Sequence, residues 1–179
     1  MEHPTLGRML VIVNPRAGHG TRDVLDRLVA ALRARGIAPD VATTAGPGDA
    51  TRIARDAVDA GRRLVVAVGG DGTVHEVVNG MVDAGSGLMR GQDPVLGVVP
   101  AGSGCDLVRT FGLDRPPEVL AQHLASADVT RIDVGRVALL DADGRPTART
   151  FANIAEVGFG QWTNVSRDRS YAGPSHRFS

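Results

Sequence analysis

The chain has 179 residues, 20 Lys+Arg against 20 Asp+Glu, 42% hydrophobic and only 3% aromatic content, and 23 Gly with 10 Pro, a length that suits one domain, or one domain and part of another. Zero net charge offers no broad attraction for nucleic acid or an anionic membrane surface. Every basic residue is arginine, which excludes a Walker A loop and a Schiff-base or general-base lysine, and the lone Cys105 excludes an internal disulfide or zinc cluster and suits a reducing compartment.

Apolar runs at Met9 to Val13, Ile37 to Ala42 (the weakest), Leu64 to Val68 and Val95 to Val99 read as buried parallel strands, each too short to cross a membrane. Between the first two, Val24, Leu25, Leu28, Val29 and Leu32 fall at helical spacing, with Thr21 as the expected N-cap and Gly36 as the stop. Ile53, Ala54, Ala57 and Val58 repeat the pattern after the second run, from a cap at Asp49 to a stop at Gly61. Val74, Val77, Val78 and Met81 follow the third, with a stop expected at Gly85. Strand and helix alternate as βαβ units, which predicts an α/β fold: a doubly wound parallel sheet whose ligands bind beyond the carboxyl ends of the strands. After about residue 111 the pattern changes. A short helix from Pro116-Pro117 to about Ala125 precedes two expected strands, Val129 to Leu140 and Thr150 to Val157, joined by a turn at Asp141-Ala-Asp-Gly144 as an antiparallel hairpin. The last twenty residues, from Gly160, are Arg-, Ser- and Gly-rich.

The most informative segment is Val68-Gly-Gly-Asp-Gly-Thr73, between a strand and a helix. Its glycines let the backbone approach a ligand, and the helix N-terminus behind them offers unpaired N–H groups and a positive dipole end suited to phosphate. Asp71 would repel a phosphate unless a divalent cation stands between them or it takes part in proton transfer, so an Asp71 that faces phosphate implies Mg²⁺ and is the candidate for metal handling. Two further loops, Asn14-Pro-Arg-Ala-Gly18-His-Gly20 and Pro100-Ala-Gly-Ser-Gly104-Cys-Asp-Leu107, sit at equivalent places. Arg16 can serve phosphate in place of lysine. Each loop taken singly is also explained as a tight turn, Cys105 as a small buried hydrophobe, His75 as an exposed helix residue, and Asp106 as a cap or a second carboxylate at the cleft.

At these residues the sequence resembles the diacylglycerol kinase catalytic-domain family of lipid kinases. The family's GGDGT loop and following E-x-x-N-G appear as Gly69-Gly-Asp-Gly-Thr73 and Glu76-Val-Val-Asn79-Gly80. Its NPxSGxG pattern appears at Asn14 to Gly20 with Ala17 for serine, and its T-x3-GDA element at Thr44 to Ala50. LGxxPxGTxND(F/L)AR appears at Leu96 to Arg109, with Ser103 for threonine and Cys105 for asparagine. Arg131 to Gly135 and Phe151 to Phe159 resemble the family's first strands beyond the nucleotide domain.

The resemblance implies ATP- and Mg²⁺-dependent phosphoryl transfer to the hydroxyl of a diacylglycerol-like or sphingoid lipid at a membrane surface, while the zero net charge, lone cysteine and short apolar runs suit a cytoplasmic, at most peripheral, protein without nucleic-acid partners. It places ATP against Asn14, Pro15, Arg16, Ala17, Gly18, Thr44, Gly69, Gly70, Asp71, Gly72, Thr73, Glu76 and Ser103, with Asp71 catalytic. It divides the chain into an α/β nucleotide domain over 8–125 and the start of a truncated β-rich domain over 126–179, whose remainder would bring the lipid surface, a general base and part of the magnesium site. The alternatives are an NAD kinase-like or phosphofructokinase-like enzyme, which share similar loops, and an inactive nucleotide-binding fragment. The particular lipid and the oligomeric state, a homo-oligomer included, are not encoded in any readable motif.

Overall fold

A computed structural model of the chain describes residues 6–102, 105–126 and 128–155. Four parallel strands, β1 (Met9–Val13), β2 (Asp40–Thr43), β3 (Leu64–Gly69) and β4 (Val95–Pro100), lie in the order β2-β1-β3-β4. β1 and β3 are buried along their whole length because helices cover both sheet faces. Side-chain alternation splits β1 between two cores. Met9, Val11 and Val13 pack on one face with Leu28 and Leu32 of α1 (Thr21–Ala34), while Leu10 and Ile12 pack on the other with Ala54 and Val58 of α2 (Asp49–Asp59) and Val74 and Val77 of α3 (Asp71–Met81). Of the two remaining helices, the short α4 (Asp106–Thr110) joins the second face and α5 (Pro117–Ala125) the first. The doubly wound parallel α/β fold expected from the sequence is the fold observed.

Gly36 and Gly61 end their helices as expected, each at positive φ in a Schellman motif. In the first, Ile37 N–H donates to Leu32 O at 3.0 Å and Gly36 N–H to Arg33 O at 2.9 Å. Ile37 is therefore buried as the apolar plug of the helix stop, and β2 begins only at Asp40, three residues later than the apolar run predicts. Thr21 is not the cap of α1. It is the first helical residue, and its hydroxyl lies 3.0 Å from Gly18 O and 3.3 Å from Ala101 O, joining two loops. Asp49 does not cap α2 either: its Oδ2 accepts Ala45 N–H at 2.8 Å and closes the preceding loop. α3 ends at Met81, not at Gly85, because Val82 turns to extended backbone and bridges Met89.

The hairpin is present with shifted boundaries: β5 (Gly135–Leu140) pairs antiparallel with β6 (Pro146–Phe151), so residues 129–134 lie outside a strand and the second strand begins before Thr150. Asp141 Oδ1 accepts the N–H groups of Asp143 and Arg145 and shapes the turn. β6 buries Ala148 and Thr150 beside α3, and the Arg136 guanidinium donates to Ala84 O and Gly85 O beyond the helix's end. Ser103, Gly104, the end of the expected second strand at Val157, Phe159 and the tail with Trp162 and Tyr171 lie outside the described residues.

Candidate functional site

Each parallel strand ends in a loop at the same edge of the sheet, and these loops enclose a pocket of about 450 Å³. Backbone bonds fix them to one another. Asn14 N–H donates to Val68 O at 3.1 Å, Thr44 N–H to Val13 O at 3.0 Å, and Ala101 N–H to Gly69 O at 3.0 Å. The glycines permit an approach that side chains would prevent. A Cβ on Gly102 would stand 2.8 Å from Gly70 Cα, and one on Gly18 would collide with the Ala101 carbonyl oxygen.

Of the residues expected to bind ATP, the structure brings Asn14, Arg16, Ala17, Thr44, Gly70, Asp71, Gly72, Thr73 and Glu76 onto the pocket wall. Pro15, Gly18 and Gly69 do not line it, and Ser103 lies outside the described residues. Gly69 acts through packing: a Cβ there would overlap the buried Thr73 side chain. The wall also includes Ala45, Gly46, Pro47, Ala50 and Gly102. Sequence reasoning noted their loops and did not single them out, because alanine and proline carry no chemistry of their own. Arg16 is the one cationic side chain on the wall among the described residues.

The polar side chains hold the loops together. Asn14 Nδ2 donates to Thr73 Oγ1 at 3.3 Å while its Oδ1 accepts Arg16 N–H at 3.0 Å, linking the first loop to α3. Asp71 Oδ2 accepts Cys105 N–H at 2.7 Å and Asp106 N–H at 3.2 Å, so it caps the start of α4 from the neighbouring loop. Its Oδ1 has no hydrogen-bond partner among the described residues, and no group of three His, Cys, Asp or Glu gathers among them. One open carboxylate oxygen fits a cation that takes its other ligands from phosphate and water. Glu76 turns its carboxylate to the N–H groups of Gly48 and Ala50 at 2.9 and 3.1 Å. Of the other residues weighed from sequence, Cys105 is buried with Sγ 3.6 Å from Gly69 O and 3.5 Å from Gly102 O. His75 has its pKa lowered by desolvation and by Arg149, which favours the neutral ring. Asp106 pairs with Arg109 at 2.6 Å.

A doubly wound sheet with a glycine-walled crevice beyond its strand ends defines an α/β domain whose crevice lies at a topological switch point. The sequence model of the family described as diacylglycerol kinase catalytic domain matches residues 8–137, and the chain belongs to that family. It is 30% identical over 168 residues to a diacylglycerol kinase of Mycobacterium tuberculosis, covering 92% of this chain and 50% of that protein. It is 31% identical over 163 residues to a diacylglycerol kinase of Bacillus subtilis, covering 90% and 48%. A crystal structure of a diacylglycerol kinase from Bacillus anthracis aligns with a TM-score of 0.61 and 30% identity over 78% of this chain and 47% of that one. The chain thus spans about half the length of the relatives it matches. No helix among the described residues is long and apolar enough to cross a membrane.

Proposed function

We propose that the chain carries the nucleotide-binding part of a lipid kinase that transfers the γ-phosphate of ATP to the hydroxyl of a diacylglycerol-like or sphingoid lipid. The observation that carries this reading is the convergence of the Asn14, Thr44, Gly69-to-Thr73 and Gly102 loops on one pocket, in a member of the diacylglycerol kinase catalytic-domain family. Phosphates are received by the uncapped N-terminus of α3, where Gly70 to Gly72 present backbone N–H groups that no side chain satisfies, while Thr73 N–H already donates to Gly70 O at 3.0 Å. Arg16 supplies the countercharge from the facing loop. Magnesium, when bound, neutralises phosphate charge, and the open oxygen of Asp71 is the protein group that would hold it.

In this reading residues 8–125 form the nucleotide domain and 126–179 begin a β-rich domain. Positioning and charge neutralisation are what the described residues offer; phosphoryl transfer also needs an oriented hydroxyl. Incubation with γ-labelled ATP and diacylglycerol, ceramide or sphingosine, for this chain and for a version extended to the length of its relatives, tests the proposal. Label on one lipid names the acceptor. In a parallel incubation with NAD as the acceptor, label on NAD, or ATP retained on the protein with no transfer to any acceptor from either version, would overturn the lipid-kinase reading in favour of an NAD kinase-like enzyme or a binding domain.

A further inference from the structure

Two helices direct their N-termini at the pocket, and the structure treats them differently. α3 begins at Gly70 and Asp71 with no side-chain cap, whereas the first turn of α2 is satisfied from outside. Glu76, in the second turn of α3, reaches across so that Oε1 accepts Gly48 N–H at 2.9 Å and Oε2 accepts Ala50 N–H at 3.1 Å. The Thr51 hydroxyl donates back to the Glu76 carbonyl at 2.9 Å. The segment so held is the pocket wall itself: Thr44, Ala45, Gly46 and Pro47 face the cavity, tied at one end to Val13 O and at the other to α3 through Glu76.

The Glu76 carboxylate is seated on the N–H groups of α2, satisfies them and repels a second anion, whereas the Asp71 carboxylate in the first turn of α3 turns Oδ2 to Cys105 N–H and Asp106 N–H and leaves the α3 N–H groups to a ligand whose charge a cation balances. Resting on the nucleotide reading of the pocket, we propose that Glu76 is a positioning residue. It fixes the Thr44-to-Gly48 wall against α3 and reserves the α3 N-terminus for the phosphates, so that the nucleoside part of the ligand lies against the wall Glu76 holds. Glu76 itself does not touch phosphate in this arrangement.

The test is calorimetric titration of the 179-residue chain and its Glu76→Ala and Glu76→Gln variants with ATP and, separately, with inorganic tripolyphosphate, alongside amide hydrogen exchange at Gly48 and Ala50. In Glu76→Ala both amides lose protection and ATP affinity falls about tenfold, the order expected for losing hydrogen bonds to a charged group. Tripolyphosphate affinity stays within about twofold of wild type, a difference near the resolution of such measurements. Glu76→Gln keeps one acceptor and falls between. A parallel loss for ATP and tripolyphosphate, or unchanged ATP affinity with both amides deprotected, overturns the positioning role. A wild-type chain that binds neither ligand overturns the nucleotide reading and the ligand orientation with it; amides equally protected in all three proteins overturn the wall-holding role on their own.

Discussion

The side-chain amide of Asn79 pairs with both backbone groups of Thr150: Nδ2 donates to the Thr150 carbonyl at 2.8 Å, and Thr150 N–H donates to Oδ1 at 2.9 Å. α3 thereby offers β6 what a neighbouring strand would, in a place where Thr150 is buried. Asn79→Ala leaves both groups without partners, at about 1–3 kcal/mol for each buried unsatisfied group. The expected result is a lower urea midpoint with an unchanged slope. Asn79→Asp is no rescue at neutral pH, because a carboxylate accepts from Thr150 N–H but cannot donate to its carbonyl. A midpoint unmoved by Asn79→Ala would remove this clamp from the account of stability.

Gly70 and Gly102 meet back to back, yet their tolerance of a methyl group differs. A Cβ on Gly102 would lie 2.8 Å from Gly70 Cα and 3.1 Å from its nitrogen, whereas a Cβ on Gly70 finds nothing nearer than 3.7 Å. Gly102→Ala must displace backbone and is expected to cost about 1–3 kcal/mol. Gly70→Ala is expected to change stability by less than about 0.5 kcal/mol, as a residue in extended backbone with free space. Thermal unfolding of the two variants side by side measures the difference, and equal losses would mean that the two loops do not pack as described.

The parallel strands and the glycine loops are legible in the sequence because their signals are local. Burial on both faces demands unbroken apolar runs such as Leu64 to Val68, and close approach demands glycine. The roles of Glu76 and Asn79 are not legible in this way. Their spacing puts both on one face of α3, but the partners, Gly48 and Ala50 on one side and Thr150 on the other, are backbone groups that leave no trace in sequence. Asp49 and Thr21 mislead for the related reason that a residue with capping chemistry can serve a loop instead. The β5 boundary shifts because exposed residues such as Val129 and Ile132 are as apolar as true strand residues, and β6 begins before Thr150 because Pro146, Thr147 and Arg149 pair with β5 without an apolar signal of their own.

Cys105 occupies the left-handed region, with φ 68° and ψ 44°. A side chain there costs roughly 1–2 kcal/mol, and asparagine is among the few residues that visit it routinely. Its Sγ faces Gly69 O and Gly102 O, two acceptors that an amide NH₂ would serve better than a thiol. Cys105→Asn is therefore expected to stabilise the chain by about 1 kcal/mol and to raise Tm by roughly 2–4 °C. A lower Tm would show that the burial cost of the amide exceeds the conformational relief.

At the opposite end of the sheet Asp40 takes Arg62 at 2.5 Å and Arg8 at 2.9 Å. Contact with the Arg62 guanidinium, supported by its charge and that of Arg8, lowers the Asp40 pKa below the ordinary carboxylate value. A lowered folded-state pKa means that the contribution is present above the unfolded value of about 3.9 and is lost as pH falls through the folded one. The groups are partly exposed, so the contribution stays below about 1 kcal/mol. Asp40→Asn should be slightly less stable than wild type at pH 7, with the gap closing below about pH 4. A gap independent of pH between about 3 and about 7 would assign the loss to packing.

Asp71 separates two roles that one carboxylate can play at this pocket. Its Oδ2 holds Cys105 N–H and Asp106 N–H, while Oδ1 is open among the described residues. Asparagine keeps a carbonyl oxygen for the two backbone donors and loses the charge; alanine loses both. Asp71→Asn is therefore expected to unfold at nearly the wild-type temperature. Its Mg²⁺-dependent ATP affinity should fall about 10–100-fold, the range for removing a group that tunes a bound metal. Asp71→Ala should show the same loss of Mg²⁺-dependent binding and, in addition, a stability loss of about 1–3 kcal/mol from the two N–H groups left without an acceptor. Titration of ATP with and without Mg²⁺, beside thermal unfolding, distinguishes the cases. If Asp71→Asn binds Mg²⁺-ATP as wild type does, the carboxylate is only the brace between the glycine loop and α4, and the cation must be held by other groups.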